Sequence, residues 1–184
     1  MIYLSRGMAV KPETEEPFRI SRWGKIYALG PNMAGLWQKG TTAPAKASHR
    51  EEASVRKLEE MGLVVTTEEA GNLASFRLLL DCVLCPSGKH PPLLFGRDRR
   101  VWTWLTQAGL RLTVSELIRL EEQNVAPAPE LLGTHGRQAL TEEIYCNTNI
   151  FDGILETEME HSPARDVTVG SILRLVRSRR LLLI

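Results

Sequence analysis

The sequence predicts an α+β fold that is mostly helical and carries short β-hairpins. Apolar residues recur every three or four positions along most of the chain, which is typical of amphipathic helices. Near residue 20, short runs that alternate apolar and polar residues flank a turn, which is typical of a hairpin. Of the 184 residues, 43% are hydrophobic and 24% are charged, close to the averages for folded soluble proteins. The chain can therefore bury a sizeable core, and disorder is excluded as its main state.

Local signals predict the elements of the first half. The alternating runs 18–21 and 25–29 flank a turn at 22–24, so we expect a hairpin there. Gly62 follows a helical pattern and is expected to end that helix as a C-cap. The predicted elements are a loose arm (1–16), a hairpin (18–21 and 25–29), two helices (31–40 and 49–61) and a pair of strands (63–67 and 73–80).

The second half begins after a segment rich in proline and glycine, residues 82–96, which we interpret as a domain boundary. Thr113 and Glu116 have the spacing of a capping box, which predicts the start of a helix. Ser162 and Pro163 are expected to begin the last helix. The predicted elements are helices at 97–108, 113–123, 137–146, 149–161 and 162–179, followed by a terminal strand at 181–184.

Charge and cysteine usage limit the function classes. Lys plus Arg total 23 and Asp plus Glu total 22, so the balance does not indicate a generally basic nucleic-acid binder, although a local basic patch is compatible with it. No apolar run approaches the length of a transmembrane helix, and the first residues lack a signal-peptide pattern. Three cysteines, an odd number, do not suggest a disulfide framework. We expect a cytoplasmic protein with no membrane partner.

Catalytic motifs give no support for an enzyme. The sequence has no Gly-rich phosphate loop and no nucleophile elbow. We therefore expect a protein that is not an enzyme and that uses no cofactor.

The order of elements recurs along the chain. Residues 55–65 align with residues 173–183, and in both segments a helix passes directly into an apolar strand. The order helix, short helix, longer helix and strand resembles the winged helix-turn-helix domains of bacterial transcription regulators, here in two divergent copies. The resemblance implies tandem winged-helix-like domains at 17–81 and 97–184, joined by a linker at 82–96, with a helical insertion at 124–162. The second copy has one wing strand, so its wing is either missing or completed by another segment.

This resemblance implies a DNA-binding transcriptional regulator. In that family the third helix enters the major groove, where Arg side chains contact phosphates or guanine. The alternative for the basic end of the last helix is that its cations complement the helix dipole and keep the surface soluble. The implied DNA-binding residues are Arg174, Arg177, Arg179 and Arg180 in the second copy, and Arg56, Lys57 and Arg77 in the first.

The first copy is also similar to the small winged-helix peptide-recognition modules of peptide-modifying pathways, including pyrroloquinoline quinone biosynthesis. The resemblance rests on the leading hairpin and on the segment Leu29-Gly-Pro-Asn-Met-Ala-Gly-Leu-Trp37. Those modules bind a leader peptide along a strand edge and helix groove. The near-neutral charge favours this second hypothesis, a non-catalytic protein- or peptide-binding adaptor. The arginine cluster and the two copies favour the first, so duplex DNA and a protein or peptide both stand as expected partners.

Cys82 and Cys85 form a Cys-x-x-Cys motif with His90 nearby. Two thiolates and an imidazole suit tetrahedral zinc, but one such motif supplies only half a site. Pro86 and Gly88 follow the motif and read as a loop, whereas a thioredoxin-like redox site requires a helix there. We expect two free thiols in a tight turn and no metal.

An apolar stripe runs through the two helices predicted within residues 137–161. It predicts either a simple core or the interface of a homodimer, and a two-fold dimer would match a palindromic operator. The residues of this stripe are Leu140, Ile144, Phe151, Ile154, Leu155 and Met159.

Overall fold

A computed structural model describes residues 1–10, 17–88, 93–107, 112–131, 136–145 and 152–184. It confirms the α+β class, with helices and small antiparallel sheets. The strands are β1 (Ile2–Ser5), β2 (Met8–Val10), β3 (Phe18–Arg22), β4 (Lys25–Leu29), β5 (Ala45–Lys46), β6 (Val64–Thr67), β7 (Leu84–Pro86) and β8 (Leu181–Leu183). The helices are α1 (Pro31–Lys39), α2 (Glu52–Glu60), α3 (Gly71–Leu80), α4 (Gly96–Gln107), α5 (Val114–Glu122), α6 (Gly136–Tyr145), α7 (Asp152–Glu160) and α8 (Arg165–Arg177). Within the described ranges, no helix is both long and apolar enough to cross a membrane.

Strand β1 lies at the centre of a sheet that separates two cores. It pairs antiparallel with β5 on one side and with β6 on the other. Successive side chains of a strand point to opposite faces, so the fully buried Tyr3 and Leu4 enter different cores. The hairpin core contains Tyr3 and residues of β3, β4, α1 and α2. The helical core contains Leu4 and residues of α3 to α8 together with β7 and β8.

The expectation of a loose arm at 1–16 is wrong over residues 1–10, which form β1 and β2. The partners of β1 lie in β5 and β6, far along the chain, and those of β2 lie in β3. Such non-local pairing leaves no local sequence signal. Residues 11–16 lie outside the described residues.

The predicted hairpin is present as β3 and β4, and β2 extends it to a three-stranded sheet in the order β2-β3-β4. Trp23 and Gly24 form the turn with φ values of 50° and 75°, as a type I′ turn requires. Ile20 is fully buried, and the ring of Phe18 lies 5.6 Å from that of Trp37 on α1. These contacts attach the sheet to the hairpin core.

The strand predicted at 73–80 is wrong, because these residues belong to helix α3. Phe76 and Leu79 are fully buried in the helical core. A short, continuous apolar run does not distinguish a buried helix from a buried strand, which explains the error. Strand β6 therefore lacks the predicted hairpin partner, and it pairs with β1 instead. The wing expected in the first copy is not formed by these residues.

The last strand finds its partner in the predicted linker. Strand β7 lies within residues 82–96 and pairs with β8, with Leu84 opposite Leu183. Ser87 extends this contact, since its backbone N–H donates to the carbonyl of Arg180 at 2.8 Å. Strand β8 is therefore completed by a segment that precedes α4, and residues 84–87 of the predicted linker are paired with the end of the chain.

Three helices end with the same capping arrangement. The residue that follows the C-cap of α2, α5 and α8 has a positive φ, at Gly62, Asn124 and Arg179 respectively. In α8 the N–H of Arg179 donates to Val176 and that of Arg180 donates to Leu175, which is a Schellman motif. Gly62 and Arg179 are thus equivalent, which shifts the predicted internal alignment by one residue. The predicted capping box of α5 is also confirmed.

We expect Leu4→Ala to lower the free energy of unfolding by about 2–5 kcal/mol, because it leaves a cavity at a fully buried site. Since β1 serves both cores, the fluorescence of Trp37 in the hairpin core and that of Trp104 in the helical core should change in one transition. Single-tryptophan variants followed in urea measure this. Met8→Ala, on the exposed β2, is the control. Separate transitions would contradict the shared role of β1.

We expect Arg179→Gly to raise stability by about 0.5–1 kcal/mol, since a left-handed conformation is strained for arginine and unstrained for glycine. Thermal unfolding measures the change. Arg177→Gly, in the last turn of α8, is the matched control and should lower stability by about 1 kcal/mol. A loss of stability in both variants would refute the interpretation.

Candidate functional site

The basic end of α8 is partly committed to an intramolecular ion pair. Arg174 donates Nε to Asp98 Oδ2 at 3.0 Å and Nη2 to Asp98 Oδ1 at 2.6 Å, so α8 and α4 are joined by two parallel hydrogen bonds. Nη2 also donates to the hydroxyl of Ser171 at 2.9 Å. These bonds hold the pKa of Asp98 below its ordinary value. Arg174 therefore has little capacity left for a phosphate.

The other three arginines lie at or beyond the helix end. Arg177 and Arg179 are exposed, and Arg180 is half-buried. Arg179 and Arg180 also build the junction with β7, because their carbonyls accept from the hydroxyl and the N–H of Ser87. The backbone of this segment therefore has a structural role, while the side chains of Arg177 and Arg179 face solvent.

The structure does not bring the first-copy candidates together. Arg56 and Lys57 are exposed on α2, next to Glu59 and Glu60. Arg77 lies on α3 rather than on a wing strand, and its Nη2 pairs with Glu160 Oε2 on α7 at 2.6 Å. Arg77 thus connects two helices of the helical core.

Cys82 has the properties of a structural cysteine. It is buried, and its thiol donates to the carbonyl of Leu78 at 3.1 Å. Burial raises its pKa to about 12, which disfavours a nucleophilic thiolate at neutral pH. Cys85 lies in β7, both thiols are unbridged, and His90 lies outside the described residues. The described part of the chain holds no group of three metal-ligating side chains.

The predicted apolar stripe is mostly internal. Leu140, Ile144, Leu155 and Met159 are buried in the helical core, whereas Ile154 is 47% exposed. Phe151 lies outside the described residues. Four of the six residues are therefore occupied within the chain, which leaves little of the stripe for a homodimer.

A buried carboxylate that sequence analysis did not identify joins α4 to α5. Glu121 accepts from Arg100 Nε at 2.5 Å and Nη2 at 2.6 Å, and from Arg97 Nε at 2.8 Å. The Glu121 side chain is almost fully buried, and both of its oxygens are satisfied. This arrangement joins α4 to α5 and gives both carboxylate oxygens of Glu121 a positively charged donor.

The hairpin sheet carries an exposed apolar surface that sequence analysis also missed. Met8, Ser21 and Ile26 are aligned across its three strands on the outer face. Met8 is 49% exposed, Ile26 is 62% exposed, and Trp23 in the turn is 54% exposed. The signal that could have located it is the alternation of β3, which turns Phe18 and Ile20 inward and leaves the intervening positions outward. We call Met8, Trp23 and Ile26 the outer apolar patch.

Strand β4 forms one edge of this sheet. Among the described residues it pairs only with β3. A two-residue hairpin closes with a hydrogen-bonded pair, here Arg22 and Lys25, so the backbone groups of Ile26 and Ala28 face the open edge. This edge presents donors and acceptors beside the outer apolar patch.

Comparison with protein-family models, curated proteins and solved structures yields no match to this chain. The features of the chain that bear on function are therefore the exposed edge, the outer apolar patch and the distribution of charge.

We expect Arg174→Ala to cost about 1 kcal/mol or less near neutral pH, because Arg174 is more than half exposed and solvent screens its pair with Asp98. The pKa of Asp98 is lowered in the folded protein, so the pair stabilises above the ordinary Asp pKa of about 3.9. That stability is lost as pH falls through the lowered value. The difference between wild type and variant should therefore shrink below about pH 4 in thermal unfolding from pH 3 to 7.

Arg177→Ala is the control for this prediction, since Arg177 is exposed near the same helix end and makes no ion pair with a described residue. Its unfolding temperature should follow that of the wild type at every pH. A difference for Arg174→Ala that persists unchanged at pH 3 would disprove the assigned pair.

Proposed function

We propose that this protein is a non-catalytic binding adaptor that receives an extended protein or peptide segment on the open edge of β4. The observation that carries the proposal is the coincidence of an open strand edge with the outer apolar patch. Large apolar side chains exposed together on a small sheet commonly mark an interaction surface. An extended segment added to a sheet edge gains backbone hydrogen bonds, while neighbouring pockets read its side chains.

The length and conformation of β4 suit such an addition. It has five residues, and its outward backbone groups at Ile26 and Ala28 are separated by one pleat. Exposed edges tend to aggregate unless a protein guards them with charge, and Lys25 supplies such a charge at one end. The remainder of the edge is open to pairing with a specific partner strand.

Charge indicates the chemistry of the partner. From Pro17 to Arg50 the sequence has no Asp or Glu, whereas Arg19 and Lys25 lie in the hairpin strands. A segment that combines acidic and apolar residues would complement this surface and the outer apolar patch. The resemblance of the first half to peptide-recognition modules supports the same proposal.

Duplex DNA binding through α8 stays a prediction, and the geometry gives it less support. Arg177 and Arg179 are exposed and suitably charged. However, Arg174 pairs with Asp98 and Arg77 pairs with Glu160, so two of the predicted contacts would have to exchange a carboxylate for a phosphate. The first copy also lacks the wing that the DNA-binding resemblance implies.

A reducing compartment, the cytoplasm, fits this proposal. Cys82 keeps a free thiol, although Cys85 is only three positions away in the sequence. The proposed binding surface uses neither of them.

Display selection tests the adaptor function. Random linear peptides would be selected against the immobilised protein, and the enriched sequences should alternate apolar residues and contain Asp or Glu. Ala28→Pro removes a backbone N–H from the open edge at a position where a strand tolerates proline. It should weaken the selected peptides about tenfold or more, since the partner carbonyl loses its donor.

Ala28→Val is the matched control, because it keeps the N–H and suits a strand. Fluorescence anisotropy with random duplex DNA at two salt concentrations is run in parallel. Equal peptide affinity for both variants would refute recognition at the edge of β4. DNA binding that falls steeply with added salt, in a protein that enriches no peptide, would favour the regulator instead.

A further inference from the structure

Arg6 and Arg22 are brought together from different strands. Arg22 ends β3, and the pleat turns it to the same inner face as Phe18 and Ile20. Arg6 follows β1, and its backbone is fixed by two contacts. Its N–H donates to the carbonyl of Leu63 at 2.8 Å, and its carbonyl accepts from the indole nitrogen of Trp37 at 3.0 Å.

Both guanidinium groups lie close to Gly62. A methyl group added at Gly62 would meet Arg22 Nη1 at 2.7 Å and Arg6 Nη2 at 4.0 Å. Both side chains therefore approach the same point beside the end of α2. Two cations this close repel each other, and burial together with the charge of Arg6 holds the pKa of Arg22 below its ordinary value.

These two arginines are poorly satisfied. The Nε atoms of both are buried and have no hydrogen-bond partner. Arg6 donates Nη1 to the carbonyl of Asp81 at 2.7 Å and Nη2 to that of Val64 at 3.5 Å, whereas the guanidinium of Arg22 donates to no described residue. Neither forms an ion pair within the described ranges. Buried donors without acceptors are costly, so an acceptor supplied by water or by a ligand would stabilise this pair of arginines.

Arg6 also forms one wall of a cleft of about 190 Å³. Val64, Val65 and Thr66 contribute further lining, together with the acidic residues Glu59 and Asp81. Glu59 accepts from the hydroxyl of Thr66 at 2.5 Å. The cleft thus combines the guanidinium of Arg6 with carboxylate acceptors, and a ligand that enters it must both accept and donate hydrogen bonds.

We propose that Arg6 and Arg22 bind a phosphoryl group beside Gly62, on the side of this cleft that Arg6 lines. The oxygens of a phosphate accept from both guanidinium groups, whose planar donors match that geometry. A phosphate that keeps one proton also donates to a carboxylate such as Glu59 or Asp81. Sulfate has the same oxygens but no proton at neutral pH. It can therefore accept hydrogen bonds from the arginines but cannot donate one to a carboxylate. This site is independent of the edge of β4.

Thermal unfolding of the full chain with inorganic phosphate tests the proposal. At constant ionic strength in chloride, phosphate at tenfold over its apparent Kd should raise Tm by about 3–6 °C. Sulfate should raise it less. Arg22→Gln should lose the phosphate effect, and its Tm without phosphate should equal or exceed that of the wild type, because an unpaired guanidinium has been removed. Arg99→Gln removes the same charge from an exposed position on α4 and should respond as the wild type does.

Three results would overturn the site: no phosphate effect on the wild type, an undiminished effect on Arg22→Gln, or equal effects of sulfate and phosphate. A second measurement uses only the wild type, so it tests the site even if a variant fails to fold. In the wild type, the ¹H–¹⁵N resonances of the arginine Nε–H groups should include two that move with phosphate and saturate together. If none moves, the proposal fails without reference to any variant.

Discussion

Strand β1 is the constraint on which both halves of the structure depend. Its alternation sends Tyr3 into the hairpin core and Leu4 into the helical core, and both are fully buried. The hydroxyl of Tyr3 donates to the carbonyl of Leu36 at 3.0 Å, which fixes α1 against the sheet. Beyond β1, the N–H of Gly7 donates to the carbonyl of Leu183 at 2.7 Å, which joins this segment to the last strand. The start and the end of the sequence therefore stabilise one another across the whole chain.

This arrangement explains why the two halves resemble repeats in sequence although their strands pair with different partners. Both α2 and α8 end in a Schellman motif and pass into a strand, at Gly62 and Arg179. In both halves, the partner of the strand that follows the helix comes from an earlier part of the sequence. β6 pairs with β1 and β8 pairs with β7, so each strand is completed by a segment that precedes its own helix. The repeated part is a helix with its cap, and the pairing around it is specific to each half.

Sequence analysis located the elements whose signals are local and missed those whose signals are not. The hairpin turn, the end of α2 at Gly62 and the capping box at Thr113 depend on a few adjacent residues, and all three were predicted. β1 and α3 were missed because the first is defined by distant partners and the second by burial on more than one side. The candidate sites follow the same rule. Arginines clustered in sequence were found, whereas the approach of Arg6 to Arg22 depends on the packing of β1, β3 and α2. The one available signal was the arginine at an inward position of an alternating strand.

The net charge is near neutral, but charged side chains are paired to different extents in the two halves of the chain. The unpaired charge in the first half is the feature that bears on function. In the helical core, arginines and acids largely satisfy one another, because burial makes an unpaired charge costly. A carboxylate that is paired with an arginine has little capacity to bind a cation, and the paired arginine has little capacity to bind a phosphate. Around the hairpin the situation is reversed, since no acid occurs between residues 17 and 50 and the guanidinium of Arg22 has no acceptor in the described structure. Among the described residues, the buried guanidinium Nε atoms left without acceptors are those of Arg6 and Arg22, beside Gly62. The pairs that consume charge in the helical core are Arg77 with Glu160, Arg97 and Arg100 with Glu121, and Arg174 with Asp98.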